Sequence, residues 1–211
     1  RQNLACKLKR SIYGSTPAAR IWYDTLVAYL HDIGFSVSAY DAGLFIHSQR
    51  QLYLTTHVDD FKIVAPNPED AQWAMDSLAA RFEMKDVSDM KFYLGMEVTF
   101  ESNGIQLNQP EYIHQLIDSF GLENAHPMRT PLDPGLKIDD APSSAINTRE
   151  YQRGTGSLQW LATKTRPDVA HAACLLAQHN SAPTPNCWTA LMHVLRYLKG
   201  CLLYTSLMAR G

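Results

Sequence analysis

The chain has 211 residues, of which 45% are hydrophobic and 19% charged, a balance typical of a globular protein with one or two domains. It contains no run of about 18 apolar residues, which excludes a predicted membrane span. Its four cysteines lack C-x-x-C or zinc-finger spacing, which favours reduced thiols in the cytoplasm or nucleus.

The formal net charge of −2 is distributed unevenly along the chain. Residues 1–20 contain five basic and no acidic residues, residues 21–148 contain seven basic and nineteen acidic, and residues 149–211 contain seven basic and two acidic. Basic ends around an acidic middle suit a nucleic-acid backbone that crosses a metal-binding centre. An ordinary mixed surface explains the same distribution equally well.

The first predicted element is a helix that begins at Pro17. Ser15 and Thr16 offer a hydroxyl cap, and proline suits the first helical position because its missing N–H would have no partner there. Gly34 predicts the end of the helix. Apolar residues recur at spacings of three and four and form one face: Trp22, Leu26, Tyr29, Leu30 and Ile33.

Three strands are predicted next, at residues 43–48, 51–57 and 61–65. The last two are separated only by Val58, Asp59 and Asp60, so these residues lie at a tight reversal. His57, just before the reversal, is predicted to face the helices that cover the sheet.

The middle of the chain mixes helix and strand. Asn67 begins a second helix, with a proline and two acids in its first turn. Residues 91–100 are predicted to form one strand because of their aromatic and β-branched content. Asn103-Gly104 is a strong hairpin signal, and Asn108 is predicted to cap the short helix that follows.

The last part of the chain is predicted to be helical. Residues 123–148 contain four prolines and indicate a surface linker. Three helices follow, at residues 149–163, 167–180 and 185–199. The order of elements predicts an α+β fold with an antiparallel sheet.

Asp59 and Asp60 are the first candidates for chemistry. Two carboxylates on one tight turn repel each other unless a cation lies between them, and hard oxygen ligands select Mg²⁺ or Mn²⁺. Two-metal phosphoryl transfer uses such carboxylates together with another from a neighbouring strand. A solvated turn with no ligand is the alternative interpretation of an isolated Asp-Asp pair.

Short motifs follow one another in an order that is more specific than any of them alone. They are Lys9-Arg10-Ser11-Ile12-Tyr13-Gly14, Ala18-Ala19-Arg20-Ile21-Trp22-Tyr23, Asp41-Ala42-Gly43-Leu44-Phe45, Val58-Asp59-Asp60, Phe82-Glu83-Met84-Lys85-Asp86, Phe92-Tyr93-Leu94-Gly95-Met96-Glu97-Val98, Gln109-Pro110-Glu111-Tyr112-Ile113, Gly156-Ser157-Leu158-Gln159-Trp160-Leu161, Thr165-Arg166-Pro167-Asp168-Val169-Ala170 and Arg196-Tyr197-Leu198-Lys199-Gly200. In this order they resemble the reverse transcriptase of copia-type (Pseudoviridae) retrotransposons along nearly the whole chain.

The resemblance implies a right-hand polymerase palm followed by thumb and connection. It divides the chain into a partial palm at residues 1–100, a thumb-like hairpin, short helix and linker at 101–148, and a helical connection at 149–211. It also implies a primer–template of RNA and DNA as the partner.

The resemblance also implies roles for individual residues. Asp59 and Asp60 match the paired ligands of the catalytic Mg²⁺ or Mn²⁺, and Lys85 lies where a basic residue could donate a proton to the leaving pyrophosphate. Two further sets are implied: nucleotide or template contacts at Gly14 and Arg20, and primer contacts at Phe92, Tyr93, Leu94 and Gly95.

Other side chains have simpler interpretations. Trp22, Trp73, Trp160 and Trp188 are predicted to lie in or beside the core. Arg166 is predicted to help orient the helix that follows, with a phosphate contact as the alternative.

Departures from the family pattern shape the functional expectation. His57 replaces the usual Tyr or Phe before Val-Asp-Asp. The family's first catalytic aspartate belongs on a strand before Tyr13, and the sequence contains no such strand. We therefore expect this chain alone to be inactive as an RNA-directed DNA polymerase. The alternative is a relic or host-adopted protein that binds nucleic acid or protein, and an exposed sheet edge predicts a homodimer.

Overall fold

The computed structural model describes residues 12, 14–15, 17–58, 60–84, 90–102, 104–138, 141 and 144–202. The chain divides into two compact units, Arg1–Ser88 and Asp89–Gly211. Both contain helices and antiparallel strands, which confirms the predicted α+β class. The finer division into palm, thumb-like and connection segments remains a prediction. Among the described residues, no helix is long and apolar enough to cross a membrane.

The first unit consists of a four-stranded antiparallel sheet and two helices. Its elements are α1 (Ala18–Asp32), β1 (Ser36–Val37), β2 (Leu44–His47), β3 (Leu52–His57), β4 (Asp60–Val64) and α2 (Pro68–Arg81). The strands pair in the order β1-β2-β3-β4, so every connection joins neighbours in the sheet. The structure confirms both predicted helices and all three predicted strands, and adds the short β1.

One core holds the first unit together. Leu26 and Leu30 of α1, Leu54 of β3 and Leu78 of α2 are almost completely buried and belong to the same cluster. Burying a leucine side chain contributes roughly 1.5–3 kcal/mol. Both helices therefore cover one face of the sheet, and β4 lies at its edge.

The second unit combines a small sheet with four α-helices. Its elements are β5 (Phe92–Tyr93), β6 (Met96–Glu101), β7 (Gly104–Asn108), α3 (Pro110–Ser119), α4 (Thr148–Lys164), a 3₁₀ helix (Pro167–Val169), α5 (Ala170–Ala177) and α6 (Pro185–Gly200). The core lies among the helices, where Leu158, Leu176, Leu191 and Leu195 are completely buried.

The prediction of one strand over residues 91–100 is wrong. The chain reverses at Leu94 and Gly95, and Tyr93 pairs with Met96 across this two-residue loop. Both loop residues have positive φ, +46° at Leu94 and +77° at Gly95. That geometry matches the turns that join twisted strands, and the aromatic content of the segment hid it. The hairpin predicted from Asn103-Gly104 is confirmed, since Glu101 pairs with Gly104.

The helix after β7 begins differently from the prediction. Gln109, not Asn108, occupies the cap position of α3, and its side chain makes no cap hydrogen bond. That side chain is nearly buried and bonds other parts of the second unit instead.

The predicted linker is attached to α6. Lys199 Nζ donates to the carbonyls of Leu122, at 3.3 Å, and Ala125, at 2.9 Å. Arg196 Nε donates to the carbonyl of His126 at 2.6 Å. These two cations therefore satisfy backbone carbonyls inside the second unit, which lowers the number of basic groups available to a phosphate backbone.

Candidate functional site

The reversal between β3 and β4 is a tight hairpin. His57 pairs with Asp60, which leaves Val58 and Asp59 as a two-residue loop. Val58 has φ +56°, a left-handed conformation that is a clear outlier for a β-branched residue. Strained backbone of this kind clusters at functional sites. Asp60 is exposed at the start of β4, while Asp59 lies outside the described residues.

Side chains from the first unit hold this loop from one side. Trp22 Nε1 donates to the carbonyl of Val58 at 3.2 Å, and Thr56 Oγ1 donates to the same oxygen at 3.4 Å. Trp22 was predicted to lie in or beside the core, with no role at this loop. Its half-buried ring does pack on Phe82, but its N–H has a further partner at the candidate site.

A groove of about 770 Å³ borders the loop. Gly14, which has φ +83° and open space where a Cβ would lie, contributes to its wall. Arg20 does not line this groove, since its guanidinium pairs with Asp24 of α1 at 2.9 Å in an exposed position. The groove is lined by Gly14, Ser15, Ala18, Ala19, Trp22, Tyr23, Leu26, Ala42, Gly43, Thr56, His57 and Val58.

His57 does not face the helices, so that prediction is wrong. Leu52 and Leu54 of β3 are buried, whereas His57 is exposed and lies an odd number of residues from both. Successive side chains of a strand alternate between faces, which places His57 on the outer face. Its pairing partner Asp60 shares that face.

Lys62 lies two residues after Asp60 and therefore on the same face of β4. Burial lowers the pKa of the Lys62 ammonium, and the negative charge of Asp60 partly offsets that shift. The described residues contain no group of three His, Cys, Asp or Glu side chains that could hold a metal ion. Lys85, the predicted proton donor, lies outside the described residues.

The predicted primer contacts form the β5–β6 turn of the second unit. Phe92 is 69% exposed, and Leu94 adopts the left-handed conformation described above. Gln109 Nε2 donates to the carbonyl of Gly95 at 3.3 Å, and Thr165 Oγ1 donates to Gln109 Oε1 at 2.9 Å. The buried Gln109 amide thus fixes the turn to the end of α4.

The outer face of α4 adjoins this turn. A Cβ at Gly95 would lie 3.7 Å from Trp160 Cζ2. Trp160 was predicted as core or half-core, but it is 38% exposed. Lys164 Nζ lies 4.9 Å from the centre of its ring, within the range of a cation–π contact.

Two glycines of α4 occupy contrasting positions. A Cβ at Gly154 would lie 2.7 Å from Leu191 Cδ2 and 3.0 Å from Phe120 Cζ, so close packing requires this glycine. Gly156 is exposed, and a Cβ there would meet nothing within 4 Å. A glycine inside a helix costs about 1 kcal/mol relative to alanine. Packing among the residues that the structure describes therefore does not account for Gly156, one turn before Trp160.

Arg166 is not placed to contact phosphate, because only 1% of it is exposed. Its guanidinium forms two hydrogen bonds with Asp168, at 2.9 and 2.7 Å, and also donates to the carbonyl of Cys201. Tyr197 Oη donates to Asp168 at 2.8 Å. Burial favours a higher pKa for Asp168, but the hydrogen bonds from Arg166 and Tyr197 outweigh it and lower that pKa.

Comparison with known proteins gives a consistent family. Residues 1–134 match the model of the family described as reverse transcriptase (RNA-dependent DNA polymerase). The chain is 36% identical over 203 residues to the retrovirus-related Pol polyprotein from transposon RE1 of Arabidopsis thaliana, covering 95% of this chain and 14% of that protein.

Two further relatives agree. The Pol polyprotein from transposon RE2 of the same plant is 34% identical, with the same coverage. That from transposon TNT 1-94 of Nicotiana tabacum is 28% identical, covering 95% of this chain and 16% of the relative. The chain thus spans about one seventh of the length of these relatives. No solved structure matches it significantly.

Proposed function

Because the chain belongs to the reverse transcriptase (RNA-dependent DNA polymerase) family, we propose that it forms the part of a retrotransposon RNA-directed DNA polymerase that binds catalytic metal ions and primer–template. Its first unit would be the palm of a right-hand polymerase. The observation that carries the proposal is the β3–β4 hairpin, where a strained Val58 precedes Asp59 and the exposed Asp60.

The chemistry of this hairpin fits divalent metal binding. Carboxylate oxygens are the hard ligands that Mg²⁺ and Mn²⁺ prefer, and Asp60 is exposed to solvent. When bound, such ions activate the primer 3′-hydroxyl and stabilise the leaving pyrophosphate. Asp59 and Asp60 would hold them, Gly14 would contribute to the nucleotide or template site, and Lys85 would supply a proton to the pyrophosphate.

Mn²⁺ binding to the purified chain tests the metal site. We expect saturable binding that is lost in an Asp59→Asn, Asp60→Asn double variant, measured by electron paramagnetic resonance of free Mn²⁺. Asp76→Asn is the matched control, because it removes an exposed carboxylate from α2 and leaves the hairpin unchanged. Binding that survives the double variant, or is lost equally in the control, would contradict the proposed site.

Primer extension on a primed RNA template tests the polymerase reaction itself. Two-metal transfer normally uses another carboxylate in addition to an Asp-Asp pair. We therefore expect no nucleotide incorporation by this polypeptide alone. Incorporation that disappears in Asp60→Asn would show that the chain supplies or replaces that ligand. Mn²⁺ binding without nucleotide incorporation would agree with a chain that supplies only two of the metal-binding carboxylates.

The outer face of α4 provides the proposed nucleic-acid contact of the second unit. Trp160 offers an exposed ring for stacking, Lys164 offers a cation beside it, and Gly156 lets another backbone approach the helix closely. Stacking on an aromatic side chain is worth about 1–3 kcal/mol per base. An exposed aromatic, a cation and an otherwise unexplained glycine on one face support binding of the primer–template.

Fluorescence anisotropy with a labelled RNA–DNA primer–template tests this face. We expect Trp160→Ala to weaken binding about five- to 150-fold and Lys164→Ala to reduce the salt dependence by about one counterion. Lys137→Ala is the matched control, because Lys137 is also exposed in the second unit. Equal effects of the two lysine variants would contradict a specific contact at α4.

A further inference from the structure

The carbonyl of Val58 is held by one donor from outside the hairpin and by one from within it. It lies beyond the last paired residues of β3 and β4, His57 and Asp60. The indole N–H of Trp22, on α1, and the hydroxyl of Thr56 both donate to it. The peptide that precedes Asp59 is therefore tied to a helix that lies 36 residues earlier in the chain.

This contact acts on a strained residue. The left-handed conformation is unfavourable for an L-residue, and branching at Cβ makes valine poorly suited to it. Two-residue hairpins usually place Asn, Asp or Gly at such positions. Without an external anchor, Val58 would favour relaxation of the loop toward negative φ. A hydrogen bond to its carbonyl opposes that relaxation.

Trp22 is itself held in a fixed position. Its ring packs edge-on against Phe82 at a centroid distance of 5.1 Å and lies 6.5 Å from the ring of Phe61. Phe61 directly follows Asp60 on β4. One side chain thus packs beside the strand that begins at Asp60 and bonds the peptide before Asp59.

We propose that Trp22 is a positioning residue for the Asp59–Asp60 pair. Its indole N–H holds the Val58 peptide in the left-handed conformation and thereby restrains the backbone that leads into this pair. This inference rests on the proposed metal site, and it deepens that proposal by naming what orients the ligands. A tryptophan that only packs would need no donor at this carbonyl.

Trp22→Phe tests the role because it keeps an aromatic ring and removes the N–H. We expect the Mn²⁺ dissociation constant to rise about tenfold, the lower end of the range for residues that orient metal ligands. Trp73→Phe is the matched control, because Trp73 is a half-buried tryptophan of the same unit that packs on Phe35 and His47. It should leave Mn²⁺ affinity unchanged.

The Val58→Gly variant tests independently whether Trp22 acts through the strained residue. Glycine adopts positive φ readily, so the loop should depend less on its anchor, and Trp22→Phe should weaken Mn²⁺ binding less in the Val58→Gly background than in the native one. Equal losses in both backgrounds would show that Trp22 does not act through the strained residue.

A third measurement needs no substitution that could disturb folding. In the wild-type chain titrated with Mg²⁺, the indole N–H resonance of Trp22 should shift while that of Trp73 does not. An unchanged Trp22 resonance, or a Trp22→Phe variant with native Mn²⁺ affinity, would overturn the role of Trp22. The proposed metal site would still stand if Mn²⁺ binding depended on Asp60. Absence of Mn²⁺ and Mg²⁺ binding by the wild-type chain would overturn the proposed site itself.

Discussion

Replacing Asp168 by asparagine should strongly destabilise the second unit. Arg166 and Asp168 have side chains that are only 1% and 9% exposed, and they form two hydrogen bonds. The variant would leave the guanidinium buried without its counter-charge, which typically costs about 3–5 kcal/mol. A domain is stabilised by about 5–15 kcal/mol in total, so the loss would be a large share of it.

Urea unfolding monitored by hydrogen exchange in α6 measures this effect. Glu150→Gln is the control, because the pair of Glu150 with Arg153 is 3.8 Å long and more exposed and should contribute no more than about 1 kcal/mol. If Asp168→Asn cost less than about 1 kcal/mol, the buried pair would not stabilise the unit as argued.

The Arg166–Asp168 pair also predicts that the stability of the second unit decreases at low pH. The pKa of Asp168 is lowered in the folded chain, so its contribution is present above the unfolded pKa of about 3.9 and is lost as pH falls further. Wild-type stability should therefore decrease below about pH 4, and Asp168→Asn should remove part of that decrease. An identical acid profile for both proteins would refute the reasoning.

Two further predictions concern the second unit. Gly154→Ala should destabilise it by about 1–3 kcal/mol through overpacking against Leu191 and Phe120, whereas Gly156→Ala should stabilise it by about 0.5–1 kcal/mol. Thermal unfolding of both variants measures these changes in stability, and changes of the same sign would contradict the prediction. Lys199→Met should increase hydrogen-exchange rates at residues 122–128 while leaving the core of α4 unchanged, because the variant removes the carbonyl contacts that attach this segment; unchanged rates would show that the contacts do not restrain it.

Regular elements of the first unit were predictable from local signals. Pro17 and Asn67 indicate where two helices begin, and the structure starts α1 and α2 within one residue of each. The first half of β3 also follows a simple rule, because Leu52 and Leu54 are buried and Tyr53 between them is exposed. The same alternation, continued from Leu52 and Leu54, places His57 on the outer face, contrary to the prediction.

The second unit shows where local signals are insufficient. Residues 91–100 have strand-forming composition nearly throughout, which hides the turn that the structure forms at Leu94 and Gly95. The Gly95 signal was available in the sequence, since a glycine inside a predicted strand often marks a break. Arg166 carried no such signal, because its burial depends on Asp168, Tyr197 and the end of α6 coming together.

The candidate site contains both predictable and unpredictable features. The Asp59–Asp60 pair is recognisable by motif order, but the sequence does not reveal what holds its turn, because Trp22 is separated from Val58 by 36 residues. A tryptophan in an apolar helix face predicts packing and says nothing about the direction of its N–H. Likewise, Gly156 and Gly154 are equivalent in sequence and differ only in what surrounds them. The residues that position a site are therefore harder to predict than those that perform its chemistry, because their roles depend on contacts that folding creates.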